Sequence, residues 1–336
     1  MKFMHKKMIF WSFLTLVFVS LVFGYSRTLK SSPINLGQSF SSQHKLPELA
    51  FSPDSQTLAS VDQNGRIVLW KIASDNKSFF ISDQGNVAVT GLAFNPDSQI
   101  LASLGENLRI TLWDVASAQK RFTLFSHIDS EATNLAFSPD GRSLASTGTD
   151  PWITLWDVAS GQALQVLSGH SKNINDLAFS PDGYLLASGS KDAQIKLWDI
   201  RSGQEHLTLM GTNGVGVTRV AFSPNGKVLA SVDEASRIVV WDVVTGERRL
   251  TITGIRGTST TGVAWSPDGK TLASGGENAQ TVLWDAVTGQ KRFNLAGQPG
   301  DIITKVSYSP DGKFLTTIGQ ANQIMLWDVV TGTLIQ

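Results

Sequence analysis

The stretch Asn175-Asp-Leu-Ala-Phe-Ser-Pro-Asp-Gly183, followed by Leu185-Leu-Ala-Ser188 and Ile195-Lys-Leu-Trp-Asp199, decides the fold. Asp176-Leu-Ala-Phe179 alternates and runs into Ser180-Pro181-Asp182-Gly183. Proline fixes φ at the second position of a turn, aspartate bonds the neighbouring backbone, and glycine accepts a positive φ, so this is a hairpin connection. Leu185–Ser188 is then a second strand, closed by Gly189-Ser-Lys-Asp192, and Ile195–Trp198 is a third. Asp199 to Gly203 turns again, and His206-Leu-Thr-Leu209 lies in a fourth strand. No stretch after residue 30 keeps helical periodicity over the ten or more residues that a helix requires.

The same phrase recurs through the chain. Its tryptophans are Trp70, Trp113, Trp156, Trp198, Trp241, Trp284 and Trp327, at intervals of 43, 43, 42, 43, 43 and 43 residues. A period this regular is one supersecondary unit copied around an axis or along a line. Four short antiparallel strands cannot bury both faces alone, and a ring of such sheets solves this while leaving only short edges. The second strand carries Ala and Ser in six copies, from Ala59-Ser60 to Ala273-Ser274. Such small side chains suit a strand close to a crowded central axis. The large tryptophan of the third strand then fills the wedge between sheets.

The chain resembles the WD-repeat (WD40) family over about residues 34–336. The Trp–Asp pair stands in six copies, with Trp70-Lys71 in the first. The family's Gly–His marker is intact as Gly169-His170, with His127 a near match after Ser126. Seven copies imply an all-β, seven-bladed β-propeller of four-stranded antiparallel blades. Copy seven reaches its fourth strand only at Leu334, so the family's usual closure implies that Ile34–Phe40 completes the last blade.

Residues 1–30 form a separate N-terminal segment before the propeller of residues 31–336. Met8 to Tyr25 is an uncharged 18-residue run, which at ~1.5 Å per residue nearly spans a hydrocarbon core. Lys2, Lys6 and Lys7 precede it and Arg27 and Lys30 follow, a bias that places the N-terminus in the cytoplasm and the propeller outside. A retained transmembrane signal anchor is favoured over a cleaved signal peptide, because no Ala-x-Ala site follows the run. A cut after Gly24 would instead release a secreted protein.

The whole chain balances 28 basic against 28 acidic residues. The first thirty hold five of the basic ones and no acid, so the remainder is mildly acidic, 23 against 28. That argues against nucleic acid as a partner and limits membrane contact to the N-terminal segment. No cysteine is present, which excludes disulfides and thiolate metal sites, and no cofactor is called for.

His170, Ser188 and Asp192 invite a hydrolase reading, but no Gly-x-Ser-x-Gly elbow surrounds Ser188. By resemblance, His170, Ser188, Asp192 and Trp198 match a buried structural tetrad that ties turn to strand. His127, Ser146, Asp150 and Trp156 match it approximately. The remaining copies lack the histidine and are expected to hold that corner by packing or water. One aspartate recurs in the Pro-containing turn and another after the tryptophan, which reads as turn chemistry and not as a calcium loop.

Variation is more telling. The position seven before each tryptophan reads Gln63, Glu106, Thr149, Lys191, Glu234, Glu277 and Gln320, in the turn between strands two and three. Four before each first-strand aromatic come Pro47, Thr90, Thr133, Asn175, Thr218, Thr261 and Thr304. In the resembled family both sets line the face that receives partners. Trp152 stands where other copies have Arg or Gln, as a partner anchor or as packing between blades. The reading is therefore a non-enzymatic protein-binding scaffold, with a protein or peptide partner. The alternatives are a propeller-type hydrolase acting in the channel mouth and a structural envelope component.

Overall fold

The computed structural model describes residues 49–336, apart from 55, 62–65, 72–77, 82–88, 106–108, 126–131, 212–213, 254–259, 278, 298, 310, 321–323 and 336. Ile34–Phe40, Met8–Tyr25 and Pro47 therefore lie outside the described residues. The described residues contain strands and turns and no helix, so none is long and apolar enough to cross a membrane.

The strands form seven consecutive antiparallel sheets, six of four strands and one of three, each in simple chain order. Sheet four is representative, with strands Ile174–Phe179, Leu185–Ser190, Gln194–Asp199 and Glu205–Met210. Its first turn follows the sequence logic closely. Gly183 takes a φ of 76° and donates its N–H to Ser180 O at 2.9 Å, while Ser180 Oγ donates to Asp182 Oδ1 at 2.6 Å. In sheet seven the chain reaches its fourth-strand position at Leu334, where it bridges Trp327.

The first strands of successive sheets lie against one another, and the fourth strands stand apart on the outside. This fan of sheets fits a propeller. Six hydrophobic clusters each join the tryptophan of one sheet to the sheet before it. Trp198, for example, packs with Ala145, Ile153, Leu155 and Leu167 of sheet three and with Ile174, Leu177 and Leu186 of its own sheet.

One expectation is corrected. The second strand is not the one beside the axis; the first strand is, and its residues are half-buried while those of the second are almost wholly buried. Smallness in strand two answers a different crowding, from the flank. A Cβ on Gly189 would lie 2.7 Å from Val217 Cγ1 of the next sheet, and one on Gly275 would lie 2.6 Å from Ile303 Cγ2.

Candidate functional site

Where it is described, the turn between strands two and three stands at the same end of its sheet. Thr149, Lys191, Glu234 and Gln320 are exposed there and Glu277 is half-buried, whereas Gln63 and Glu106 lie outside the described residues. Across the described sheets this position holds Thr, Lys, Glu and Gln while the frame beneath repeats.

The second set has a role that the sequence did not disclose. Thr90, Thr133, Asn175, Thr218, Thr261 and Thr304 each occupy the extra position of a β-bulge in the first strand. A bulged residue opposes no partner across the ladder, so its polar groups need other bonds. Thr218 Oγ1 donates to Val232 O at 3.2 Å and Thr304 Oγ1 to Ile318 O at 3.1 Å. Asn175 Nδ2 donates to Val217 O of the next sheet at 2.7 Å, and Thr261 Oγ1 reaches Ile303 O of its neighbour. Thr218 and Thr304 thus tie the bulge to the second strand of their own sheet, while Asn175 and Thr261 stitch neighbouring first strands together.

Next to them, Asp176 accepts from Asn134 Nδ2 of sheet three at 2.9 Å and from the Val220 N–H of sheet five at 2.9 Å. Burial pushes its carboxyl up, against the pull of Arg219. One carboxylate thus spans three sheets. The sequence hint was an acid, matched by Glu48 in the first copy, where the other copies have Gly91, Asn134, Arg219, Gly262 and Lys305.

His170, Ser188, Asp192 and Trp198 are joined in one chain of bonds. Trp198 Nε1–H donates to Ser188 Oγ at 2.9 Å, His170 Nε2 lies 2.7 Å from Ser188 Oγ, and His170 Nδ1 lies 2.8 Å from Asp192 Oδ2. The tautomer that satisfies every atom carries the proton on Nδ1, donating to Asp192, and accepts the Ser188 hydroxyl at Nε2. Burial lowers the His170 pKa against the pull of Asp192, so the ring is neutral at pH 7. Burial alone would raise the Asp192 carboxyl, but bonds from the Ser171 N–H, His170 and the Gln194 N–H outweigh it and hold it low. Ser188 has no exposed surface and spends its acceptor on Trp198. A hydrolytic nucleophile must reach its substrate, and this one is sealed inside the sheet.

The Trp–Ser end of the tetrad recurs everywhere. The indole N–H reaches Ser60, Ser103, Ser146, Ser231 and Ser274 at 2.8–3.0 Å, and Thr317 at 3.1 Å. The corner without histidine is not left to packing or water in sheet five. There Arg237 Nε donates to Asp233 Oδ2 at 2.7 Å, an ion pair within one turn. Trp152 opens the third strand of sheet three, opposite Ser168, and is partly exposed.

The repeated aspartates close turns. Asp157 Oδ1 accepts from the Ser160 N–H at 2.7 Å and Oγ at 2.6 Å, and Asp140 Oδ1 accepts from Ser138 Oγ at 2.6 Å. Such bonds favour the ionised form, and they hold Asp114, Asp140, Asp157, Asp199, Asp268, Asp285, Asp311 and Asp328 below the usual carboxylate range. Asp242, bonded by the Thr245 N–H and Arg249, is lowered to about 2. A depressed folded pKa gives stability that is complete above the unfolded value and lost as pH falls through the folded one. From these aspartates, resistance to urea is expected to decline from about pH 4 to about pH 2, after an earlier loss below about pH 6.5 as His170 takes up in the unfolded chain a proton that its buried form disfavours. Unfolding midpoints that rise on acidification through that window would contradict these turn bonds.

Two family models match the chain. The model described as the IFT122 first beta-propeller covers residues 131–336, and the WD domain, G-beta repeat model covers residues 39–71 and 77–114. A comparison with curated proteins finds no match.

Proposed function

The chain belongs to the IFT122 first beta-propeller family, and from that premise we propose that it is a non-enzymatic protein-binding scaffold. Propellers built of WD repeats generally act in protein–protein interaction. In this reading the seven sheets close into a ring, sheet seven on sheet one, and hold a protein or peptide on the face of the second-to-third-strand turns. One observation carries it: a rigid, internally bonded frame presents exposed turn residues of several types, Thr149, Lys191, Glu234 and Gln320, at one repeated position. Rigid scaffolds with variable loops suit recognition. The rim is mildly acidic through Glu106, Glu234 and Glu277, which favours a basic segment on the partner. Reversing these three to lysine is expected to abolish capture of one specific partner in a pull-down while leaving the melting transition in place. Unchanged capture moves the site to another surface.

The proposal includes a tether. Met8–Tyr25 spans the membrane, residues 1–7 lie in the cytoplasm, and the propeller of residues 31–336 works outside it. The support is the uncharged run and the three lysines ahead of it. A mature chain whose mass lacks the first two dozen residues would replace the anchored form with a secreted one.

A further inference from the structure

The outer edge of sheet three breaks a rule that sheets two, four, five and six keep; the sheet-one strand Ser78–Ile81 is likewise uncharged. The residue eight after the tryptophan is the bulged residue of the fourth strand in sheets two to six. It is Arg121, His206, Arg249 and Arg292 in sheets two, four, five and six, and Leu164 in sheet three. In three of the sister sheets that arginine turns back to the aspartate after the tryptophan: Arg121 to Asp114 at 4.0 Å, Arg292 to Asp285 at 3.7 Å, and Arg249 to Asp242. Two residues on, the sisters have Thr123, Thr208, Thr251 and Asn294, and sheet three has Val166. Four before the tryptophan they have Arg109, Gln194, Arg237 and Gln280, and sheet three has Trp152.

The three replacements are neighbours. Trp152 pairs with Ser168 and Thr154 with Val166, so Trp152 and Val166 project from one face with Leu164 at the bulge beside them. They are exposed by 39%, 57% and 56%. Among the described residues the Ala163–Ser168 strand pairs with one neighbour, the Trp152–Asp157 strand, and its outer backbone edge is unpaired there. Proteins blunt such edges with charge. The sister strands follow this with Lys120-Arg121, Glu205-His206, Arg248-Arg249 and Lys291-Arg292. Ala163-Leu-Gln-Val-Leu-Ser168 contains no charge at all.

We propose that this edge is a homodimer interface, in which sheet three of one copy meets sheet three of a second copy across a twofold axis. A twofold contact places one patch against the same patch of the second copy, so an edge whose charges share one sign meets that sign again. The edges of sheets two, five and six, with Lys120-Arg121, Arg248-Arg249 and Lys291-Arg292, would suffer that repulsion, and the sheet-three edge does not. Trp152, Leu164 and Val166 of the two copies then shield one another from water, and Leu164–Ser168 lies antiparallel to its counterpart with Val166 opposite Val166. The surface is distinct from the partner-binding rim, and the two proposals stand or fall separately.

The test uses the full chain held in detergent and measures its mass by light scattering across the micromolar range. The unmodified chain is expected to have twice the mass of the variant W152R/L164R/V166T, which carries the residues that sheet two already accommodates at Arg109, Arg121 and Thr123. Because the chain has no cysteine, Val166→Cys alone is expected to yield a covalent dimer on oxidation, and Thr251→Cys at the matching place in sheet five is not. A chain monomeric throughout, a variant that remains dimeric, or equal cross-linking at both positions would each overturn the proposal. So would a monomer whose cysteine at 166 becomes protected only on adding lipid vesicles or an apolar peptide.

Discussion

Replacing Trp198 with alanine is expected to destabilise the protein by about 3–5 kcal/mol, the range for deleting a large aromatic from a packed core. The indole sits between sheets three and four, against Ile153, Leu155 and Leu167 on one side and Leu177 and Leu186 on the other. Strands on both sides are hydrogen-bonded along their length and cannot slide in to fill the gap. The substitution also removes the donor to Ser188, at the centre of the His170–Asp192 chain. Trp198→Phe separates the two effects. It keeps most of the ring volume and loses the N–H, so about 1–3 kcal/mol of the penalty should remain. Urea unfolding of both variants measures this. A loss below about 1 kcal/mol for alanine would mean that this wedge does not hold the sheets together.

The second large effect comes from adding atoms. Gly275→Val is expected to cost about 1–3 kcal/mol or more, because its first new atom already meets Ile303 Cγ2 at 2.6 Å and Val306 Cγ1 at 2.8 Å. Both contacts belong to sheet seven, which must move away from sheet six to admit the side chain. Gly275→Ala should cost less but remain destabilising. If alanine proved neutral by thermal melting, sheets six and seven would not be packed as closely as described.

These two positions show what the sequence disclosed and what it hid. The spacing of seven tryptophans announced the sheets, and the Ser-Pro-Asp-Gly turns announced where strands reverse, because turn chemistry is local. The indole-to-serine bond was legible in sheet four, where His170 and Asp192 frame it, and less so at Trp327, where Thr317 takes the serine's place. Small residues in strand two were visible, yet their cause was not. Crowding at an axis and crowding by Val217 or Ile303 of the next sheet demand the same residue sizes, and only the packing tells them apart. The bulges were hidden for a related reason. A recurring threonine such as Thr218 is compatible with loop or strand, and a one-residue shift of register leaves no mark on composition. The Asp233–Arg237 pair could have been found, as opposite charges four apart that recur in sequence as Asp62 and Arg66, where the other copies have Gly or Ser at the first position.

Closure of the seven sheets into a ring can be measured directly, because the chain has no native cysteine. Gly275 lies against Val306 of the next sheet, so the pair Gly275→Cys with Val306→Cys should form a disulfide and serves as the control. Repeat spacing puts Ile318 of sheet seven and Leu49 of sheet one in the matching places. Oxidation of Ile318→Cys with Leu49→Cys is predicted to bridge the ends of the propeller within one chain and shift its mobility on a non-reducing gel. Bridging in the control with none between residues 49 and 318 would contradict the ring and leave an open stack of sheets.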